Sequence, residues 1–404
     1  MYKTFLKLIL PIGGLLLSFA MIPDAQAVPS FARQTGMSCS SCHTAFPQLT
    51  SFGRDFKMQG YTLTESQQVK SEGLGIGLGA PLSMMIQASV STLKEAPDAN
   101  TDSTQFRLPA QLSIFYAGRV TDKIGAFVQI TAEDGAGFSQ DNTDIRFADN
   151  GKLGSNDVTY GVTLNNNPTV QDPWNSTPVW GFPWFEAGYG YEYPGSMIES
   201  VGGSVAGLTG YAFWNNHIYT ELGAYNASNT GADKSLEVIK NTAPYWRLAY
   251  TAESGNMNWE VGTFGMSATL PGDEKLTDTA LDAQIQWMLD GNQSLTLDAN
   301  YIHETQPNSE HLNTMKADLT WYTNQTWGAT VGYRGATSSA NAINGADASS
   351  TGDLGSGCYQ LQLDYTPWLN TRFALQYTAY NKLNGTTDGA SDSNQLMFGG
   401  WFLF

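Results

Sequence analysis

Two cysteines and a histidine form the cluster with the clearest chemistry in this sequence: Cys39, Cys42 and His43 stand in the pattern Cys-x-x-Cys-His. Two thiols at this spacing can each form a thioether with one of the two vinyl groups of a haem, and the adjacent imidazole can then bind the iron axially. The pattern therefore predicts one covalently attached c-type haem.

Three other chemistries use the same residue types. A thioredoxin-like redox pair needs a βαβ context, which the surrounding sequence does not indicate. A zinc site needs further Cys or His nearby, and residues 28–80 contain none beyond these three. A disulfide between Cys39 and Cys42 stays open as an alternative, although it would not require His43. The third cysteine, Cys358, is predicted to be a lone buried thiol.

The second axial position of the haem iron has several candidates. Met58 follows His43 by 15 residues and is the preferred sixth ligand, which would raise the reduction potential. Met37, a side chain of the remaining chain, or water are the alternatives, and Met58 is equally compatible with an ordinary apolar role. Candidates for the haem propionates, each also readable as a solvated charge, are Arg33, Arg54 and Lys57.

The element that positions these residues is predicted to be a small segment over residues 28–72. Pro47 suits a first helical turn and Gly60 a helix stop, with Phe46, Leu49, Phe52 and Phe56 recurring along one apolar face. Roughly 45 residues cannot bury a haem alone. We therefore expect the segment to act as a plug covered by the rest of the chain, with apolar haem contacts from Phe31, Phe46, Phe52 and Phe56.

The N-terminus and the composition indicate export. Residues 1–27 read as a signal peptide, with Lys3 and Lys7 before an apolar stretch and Ala25-Gln26-Ala27 as the cleavage site; a transmembrane anchor is the alternative. Its removal leaves 18 Lys and Arg against 36 Asp and Glu, a net charge of −18. That charge argues against nucleic acid as a partner and suits the attraction of cations.

The remainder of the chain, residues 81–404 after a glycine-rich linker at 73–80, is predicted to be an all-β outer-membrane barrel. A phosphate-binding glycine loop is disfavoured at the linker because no βαβ unit surrounds it. Apolar and aromatic residues alternate with Gln, Asp and Thr, which indicates a lipid-facing and a water-facing side. About 16 strands are predicted, at 81–92, 105–118, 124–133, 143–148, 157–164, 204–214, 217–226, 244–252, 256–267, 279–289, 293–303, 311–322, 325–335, 357–367, 370–381 and 395–404.

Short and long connections alternate between these strands, which is typical of barrels with periplasmic turns and extracellular loops. An even strand number places both termini in the periplasm. The long loop at 165–203 carries Trp174, Trp180 and Trp184 and is predicted to fold inward and narrow the lumen.

A candidate iron site flanks one predicted hairpin on the outer side. His303, Glu304, Glu310 and His311 combine imidazole with carboxylate, a ligand set that suits Fe(II), although two His on facing strands also occur without a metal. No catalytic residue is assigned.

Residues Pro29 to Tyr61, including the Cys39–His43 motif and the stretch Phe52-Gly-Arg-x-Phe-Lys-x-x-Gly-Tyr61, resemble the monohaem cytochrome–porin fusions that serve as outer-membrane iron oxidases of iron-oxidising bacteria. The resemblance implies that extracellular Fe(II) gives an electron to the haem, which passes it to a periplasmic c-type cytochrome. It implies haem attachment at Cys39, Cys42 and His43; the barrel is similar only in architecture.

The sequence is therefore compatible with three functions. The first is an Fe(II):cytochrome oxidoreductase acting as an electron conduit across the outer membrane. The second is a conduit with another donor or with outward electron flow. The third is a passive porin with a haem-bearing plug, which the Cys-x-x-Cys-His pattern disfavours because diffusion needs no cofactor.

Overall fold

The computed structural model describes residues 28–63, 81–96, 100–180, 184–185, 193–228, 238–290, 292–368 and 370–404. The predicted signal peptide at 1–27, the predicted linker at 73–80 and the last residues of the predicted 28–72 segment lie outside these ranges.

The N-terminal segment, residues 28–63, contains two short helices and a small hairpin. Helix α1 spans Pro29–Thr35, and a 3₁₀ turn spans Cys39–Ser41. Strands β1 (His43–Ala45) and β2 (Gln48–Leu49) pair antiparallel, and helix α2 spans Ser51–Met58.

Helix α2 is shorter than the predicted helix. Pro47 lies between β1 and β2, after a cis peptide bond, and not in a helical turn. The N-cap is Thr50, whose hydroxyl accepts a hydrogen bond from Gly53 N at 3.1 Å and so satisfies one of the free donors of the first turn. The predicted stop at Gly60 agrees with its φ of +69° just after the helix.

The apolar face predicted for one helix is therefore divided between two elements. Phe52 and Phe56 lie on α2, whereas Phe46 and Leu49 lie on the preceding hairpin. A three- to four-residue spacing of apolar residues is also compatible with a short hairpin followed by a helix, and periodicity over so few residues does not separate the two.

Sixteen strands form a closed antiparallel barrel in which each strand pairs with its neighbours in the chain and β20 pairs with β3 to close it. The barrel strands are β3 (Leu82–Leu93), β4 (Thr104–Arg119), β5 (Ile124–Glu133), β6 (Ser139–Leu153), β7 (Asn156–Asn165), β8 (Val205–Trp214), β9 (Ile218–Ala227), β10 (Ala243–Ser254), β11 (Met257–Thr269), β12 (Lys275–Leu289), β13 (Gln293–Thr305), β14 (His311–Thr323), β15 (Trp327–Ser338), β18 (Ser356–Trp368), β19 (Thr371–Lys382) and β20 (Gln395–Leu403).

These strands confirm the predicted number and order, with shifts of a few residues at their ends. β6 extends well beyond its predicted span at both ends. The loop between β15 and β18 contains a hairpin that was not predicted, formed by β16 (Ala342–Asn344) and β17 (Asp347–Gly352).

Side chains on the strands alternate between an apolar outer face and a polar inner face. On β12, Leu281 is 60% exposed and the next residue, Asp282, is 3% exposed; on β18, Leu361 and Gln362 show the same contrast. A closed barrel with an apolar outer band satisfies every backbone group that faces lipid. The protein is therefore an outer-membrane β-barrel, as its alternation predicts. Among the described residues, no helix has the length and apolar character needed to cross a membrane.

The N-terminal segment lies inside the barrel, against inward-facing groups on several sides of the wall. Its hydrogen bonds with the wall join Ser30 to Ala117, Gln48 to Asp298, Arg54 to Gln286, Met58 to Tyr211 and Tyr61 to Asp144.

The segment occupies the end of the barrel that carries the short connections. Its contacts there are Gln34 with Arg119, His43 with Gln325, Phe46 with Trp401, Ser51 with Asn258, and Gln59 with Asn150. In outer-membrane barrels the short turns face the periplasm.

The long connection between β7 and β8 folds into the lumen, as predicted. Trp174 is 1% exposed, Ser176 Oγ donates to Asp282 Oδ2 at 2.6 Å, and Phe185 N donates to Gln362 Oε1 at 2.8 Å. Helix α3 (Met197–Ser200) follows in the same connection. The described part of this connection, which we call the inward loop, therefore crosses from one side of the lumen to the other.

Candidate functional site

A cavity of about 490 Å³ lies between the N-terminal segment, the wall formed by β3–β5 and the inward loop. Its volume falls within the roughly 300–1,000 Å³ usual for cofactor sites. Cys39, Cys42 and His43 all line it. The structure thus brings the three residues of the motif to one partly open cavity.

The two cysteines of the motif sit on the 3₁₀ turn, with Cys42 N donating to Cys39 O at 3.0 Å. Both thiols are free, so the alternative disulfide is not formed here. Burial raises the pKa of Cys42 to about 11; burial and the neighbouring Cys42 raise that of Cys39 still further. Both thiols are therefore uncharged at neutral pH.

His43 follows directly on β1, with its ring 5.6 Å from that of Phe46. Burial lowers the pKa of His43 to about 4, against the opposite influence of backbone groups of Gln48 and Pro47. The imidazole is therefore neutral at physiological pH, the state in which it can bind a metal. Its Nδ1 is buried and has no hydrogen-bond partner.

Helix α2 packs directly on the backbone of the motif. Thr50 N donates to Cys42 O at 2.9 Å and Thr50 Oγ1 donates to Ser41 O at 2.6 Å. A Cβ at Gly53 would lie 2.2 Å from Cys42 O, so only glycine permits this approach. The helix thereby fixes the turn that carries the two thiols.

Aromatic side chains form much of the cavity wall. Phe31 and Phe56 meet edge to face at 5.0 Å, and Phe46 meets Trp401 in the same way at 4.8 Å. Of the four phenylalanines predicted to contact a cofactor, Phe31, Phe46 and Phe56 line the cavity and Phe52 does not. The predicted apolar setting is thus present with one member misplaced.

The cations at the cavity differ from those predicted. Arg33 is directed to Leu82 O, and Arg54 is taken up by Leu49 O and Gln286, so neither lines the cavity. Main-chain and wall acceptors hold both guanidinium groups away from the cavity, so this structure gives neither residue a role there.

Lys57 does line the cavity, yet its ammonium donates to Val170 O, Asp172 O and Asn175 Oδ1 at 2.6–2.8 Å. It therefore ties the N-terminal segment to the inward loop. Arg107 on β4 and Arg372 on β19 also line the cavity and were not predicted from the sequence. The one sequence signal for their inward orientation was the alternation of polar and apolar residues along each strand.

Met58 is not among the residues that line the cavity. Its side chain is 3% exposed and packs with Trp174, Tyr211, Phe213 and Tyr219 on the other side of α2. This placement favours the alternative role of Met58 as an apolar residue, and its role as distal ligand stays a prediction.

Met37, the alternative sulfur ligand, does line the cavity. It lies two residues before Cys39, in the stretch that joins α1 to the 3₁₀ turn.

The predicted iron site at the β13–β14 hairpin does not converge. His303 and Glu304 are neighbours on a strand and point to opposite faces, with His303 exposed and Glu304 buried against Met197 N. Glu310 accepts from Asn341 instead. The described residues contain no group of three His, Cys, Asp or Glu arranged to hold a metal.

Part of the hairpin prediction and the separate prediction for Cys358 agree with the structure. His303 and His311 do approach each other on the outer face, with ring centroids 6.4 Å apart. Cys358 is a buried free thiol away from the cavity, as predicted.

No protein-family model matches this sequence, and no curated protein sequence matches it. Solved structures with a similar fold are outer-membrane channels. They include an anion-selective porin from Comamonas acidovorans (TM-score 0.49, 12% identity, covering 80% of this chain and 98% of that chain) and OmpF of Salmonella typhi in complex with daunomycin (0.48, 11%, 80% and 97%). The outer-membrane channel DcaP of Acinetobacter baumannii is similar to the same degree (0.48, 11%, 80% and 96%).

Proposed function

We propose that this protein is an outer-membrane electron conduit that holds one c-type haem and oxidises Fe(II). The observation that carries the proposal is the convergence of Cys39, Cys42 and His43 on one cavity inside a transmembrane barrel. Diffusion through a passive channel requires no cofactor, whereas a pair of free thiols beside a neutral imidazole can hold a haem. The resemblance of residues 29–61 to cytochrome–porin iron oxidases supports the choice of donor.

The residues present fit a c-type haem. Cys39 and Cys42 are free to form the two thioethers, and His43 is neutral with an unpartnered Nδ1, the atom that in metal-bound histidines donates to a second group. Arg107 and Arg372 line the cavity while paired with Asp134 and Asp364, and they would bring positive charge close to the propionates. When bound, the haem supplies a one-electron couple at its iron.

The position of the N-terminal segment supports electron transfer toward the periplasm. The N-terminal segment lies at the short-turn end of the barrel, so a periplasmic c-type cytochrome can approach His43 and its surroundings from that side. In the overall reaction one Fe²⁺ is oxidised to Fe³⁺ and one acceptor cytochrome is reduced. Since the hydrocarbon core is roughly 30 Å thick, the donor must enter the lumen from outside to come near the segment.

The test is stopped-flow absorbance of the purified, haem-loaded full chain mixed with Fe(II) at fixed pH. We expect reduced-haem bands to appear rapidly, and to be lost in His43→Ala. Cys358→Ser is the matched control, because this buried thiol lies outside the cavity; it should retain both haem and Fe(II) oxidation.

Three results separate the candidate functions. Reduction by Fe(II) that depends on His43 supports iron oxidation. A haem that chemical reductants reduce and Fe(II) does not leaves a conduit with another donor or with outward flow. A protein expressed with haem-maturation machinery that contains no haem leaves the passive porin.

A further inference from the structure

Two buried carboxylates face each other on the inner wall near the candidate site. Asp298 on β13 is directly paired with Asp318 on β14, and the two residues are 1% and 2% exposed. Like charges in directly opposed positions destabilise a sheet, and burial increases the cost. Such a pair therefore indicates a positive partner that belongs between or beside them.

Hydrogen bonds around this pair leave an excess of acceptors. Asp298 receives bonds from Gln284 Nε2 at 2.7 Å and from Gln48 Nε2 at 2.5 Å. Four buried oxygen atoms nearby accept no hydrogen bond. They are Gln48 Oε1, Gln284 Oε1, Asp318 Oδ1 and Asn300 Oδ1. A buried acceptor without a donor is unfavourable, so four of them beside two carboxylates point to a positively charged ligand.

Protein cations do not balance these charges. Arg247 is already shared by Asp172, Glu260 and Asp282. Arg334 acts electrostatically on Asp318 from β15, so the part of the chain that the structure describes sets one cation against the two facing carboxylates.

The pair of Asp298 and Asp318 is linked to the cavity through two neighbours, Gln48 and Trp184. Gln48, which bonds Asp298, lies on β2, the strand paired with the strand that carries His43. Gly332 pairs with Asp318, and a Cβ at Gly332 would meet both Asp318 Cβ at 3.0 Å and the Trp184 ring at 2.6 Å. Trp184 itself lines the cavity.

We propose that Asp298 and Asp318, together with amide oxygens of Gln48, Gln284 and Asn300, form a divalent-cation site in the lumen wall. Carboxylate and amide oxygens suit Mn²⁺, Mg²⁺ and Ca²⁺, and carboxylates also bind Fe²⁺. If the function proposed above holds, and only on that basis, the cation is the Fe²⁺ donor held beside the hairpin that carries His43.

The experiment is a Mn²⁺ titration of the haem-loaded full chain in detergent, followed by electron paramagnetic resonance of the free ion. We expect one Mn²⁺ per chain, with binding weakened at least about tenfold in Asp298→Asn and in Asp318→Asn. Asp388→Asn is the matched control, since this exposed loop carboxylate lies far from the pair in the sheet and should bind as the unchanged protein does.

A protein that binds no Mn²⁺, or Asn variants that bind it unchanged, would overturn the proposal; the latter would favour a carboxyl pair that shares a proton. If an Asn variant does not fold, Asn300→Leu replaces it, and unchanged Mn²⁺ binding there counts against the site.

Reduction kinetics separate this site from the proposed function. We expect Asp318→Asn to slow haem reduction by Fe(II) at least about tenfold and to leave reduction by dithionite unchanged. Mn²⁺ binding without any reduction by Fe(II) would end the iron oxidase proposal and keep the cation site.

Discussion

Two parts of the barrel wall hold the N-terminal segment by different means. The buried inward side chains of β3–β5, which we call the uncharged wall, are neutral and include Ser113, Gln129 and Thr131. Arg107, which is partly buried, and Glu133, which is exposed, also line the cavity from these strands and are not counted in it. Those of β11–β14, the acidic wall, include Glu260, Asp282, Asp298 and Asp318.

The segment meets the uncharged wall through aromatic packing and through hydrogen bonds to neutral groups, such as Ser30 Oγ to Ala117 O. It meets the acidic wall through hydrogen bonds that include a buried carboxylate. Phe56 and Tyr61 pack with Met85, Phe115 and Phe127 on one side. On the other side the contacts are Gln48 with Asp298 and Arg54 with Gln286. Apolar burial is non-directional and tolerates many positions, whereas buried polar groups have to be paired individually. The uncharged wall therefore contributes mainly contacts that do not depend on charge, whereas the acidic wall presents buried charges that each need a partner.

The largest expected effect on stability comes from removing Arg247 on β10, the cation that pairs with Glu260 and Asp282 of the acidic wall. Arg247→Met leaves Asp172, Glu260 and Asp282 buried without their shared partner, which should cost about 3–5 kcal/mol of unfolding free energy. Urea unfolding in lipid vesicles, followed by tryptophan fluorescence, measures it. Gln129→Leu is the counterpart on the uncharged wall and should cost far less; equal losses would remove the distinction between the walls.

A smaller effect is expected where the segment packs on the uncharged wall. Phe56→Leu reduces buried aromatic contact with Phe31 and Tyr61 and should destabilise the fold by about 1–3 kcal/mol. Because no charge is involved, the loss should be the same at low and high salt in the same unfolding assay. A strong salt dependence would show that this side is also held electrostatically.

Lys57, which joins the segment to the inward loop, predicts a pH dependence. Burial, followed by repulsion from Arg146, lowers the pKa of Lys57 from 10.5 to about 7 in the folded protein. Between these values the unfolded chain binds the proton and the folded protein does not, so stability should rise from pH 7 to pH 10.5 and level off below 7.

The slope approaches about 1.4 kcal/mol per pH unit for a whole proton. Unfolding of the haem-free protein across this pH range measures it, with Lys57→Met as control. A profile that Lys57→Met leaves unaltered would mean that the three oxygen acceptors keep the ammonium charged in the fold.

The smallest effect is expected outside the lumen. His303→Ala and His311→Ala change side chains on the outer face, so each should alter stability by no more than about 0.5 kcal/mol and leave the rate of haem reduction by Fe(II) unchanged. A clear loss of that rate in either variant would restore the hairpin as an iron site and weaken the case for the acidic wall.

The barrel was predictable from sequence because each strand carries a period-two signal of its own. The apolar Leu361 faces outward and the polar Gln362 faces inward, and this alternation can be recognised within one strand without reference to its neighbours. The same periodicity places His303 and Glu304 on opposite faces of β13, so the two side chains cannot bind one metal ion although they are adjacent in sequence.

The N-terminal segment was predictable only at its motif. Strands of two and three residues leave too little pattern to detect, and Pro47 occurs in turns as readily as in first helical turns. Met58 and Arg54 are placed by partners more than 100 residues away, Tyr211 and Gln286. Such pairings depend on which strands lie opposite each other across the lumen, which no local pattern encodes.

The seam between β20 and β3 joins the two ends of the barrel sequence. Loop closure makes so distant a pairing slow to form, so the other ladders, which join neighbours in the chain, can assemble before it. The N-terminal segment precedes β3 and touches wall residues from Ala117 to Trp401. The segment therefore reaches its final position, with Cys39 buried, only as the cylinder closes. If a cofactor is attached at Cys39 and Cys42 as proposed, its attachment would come before the wall closes around the segment.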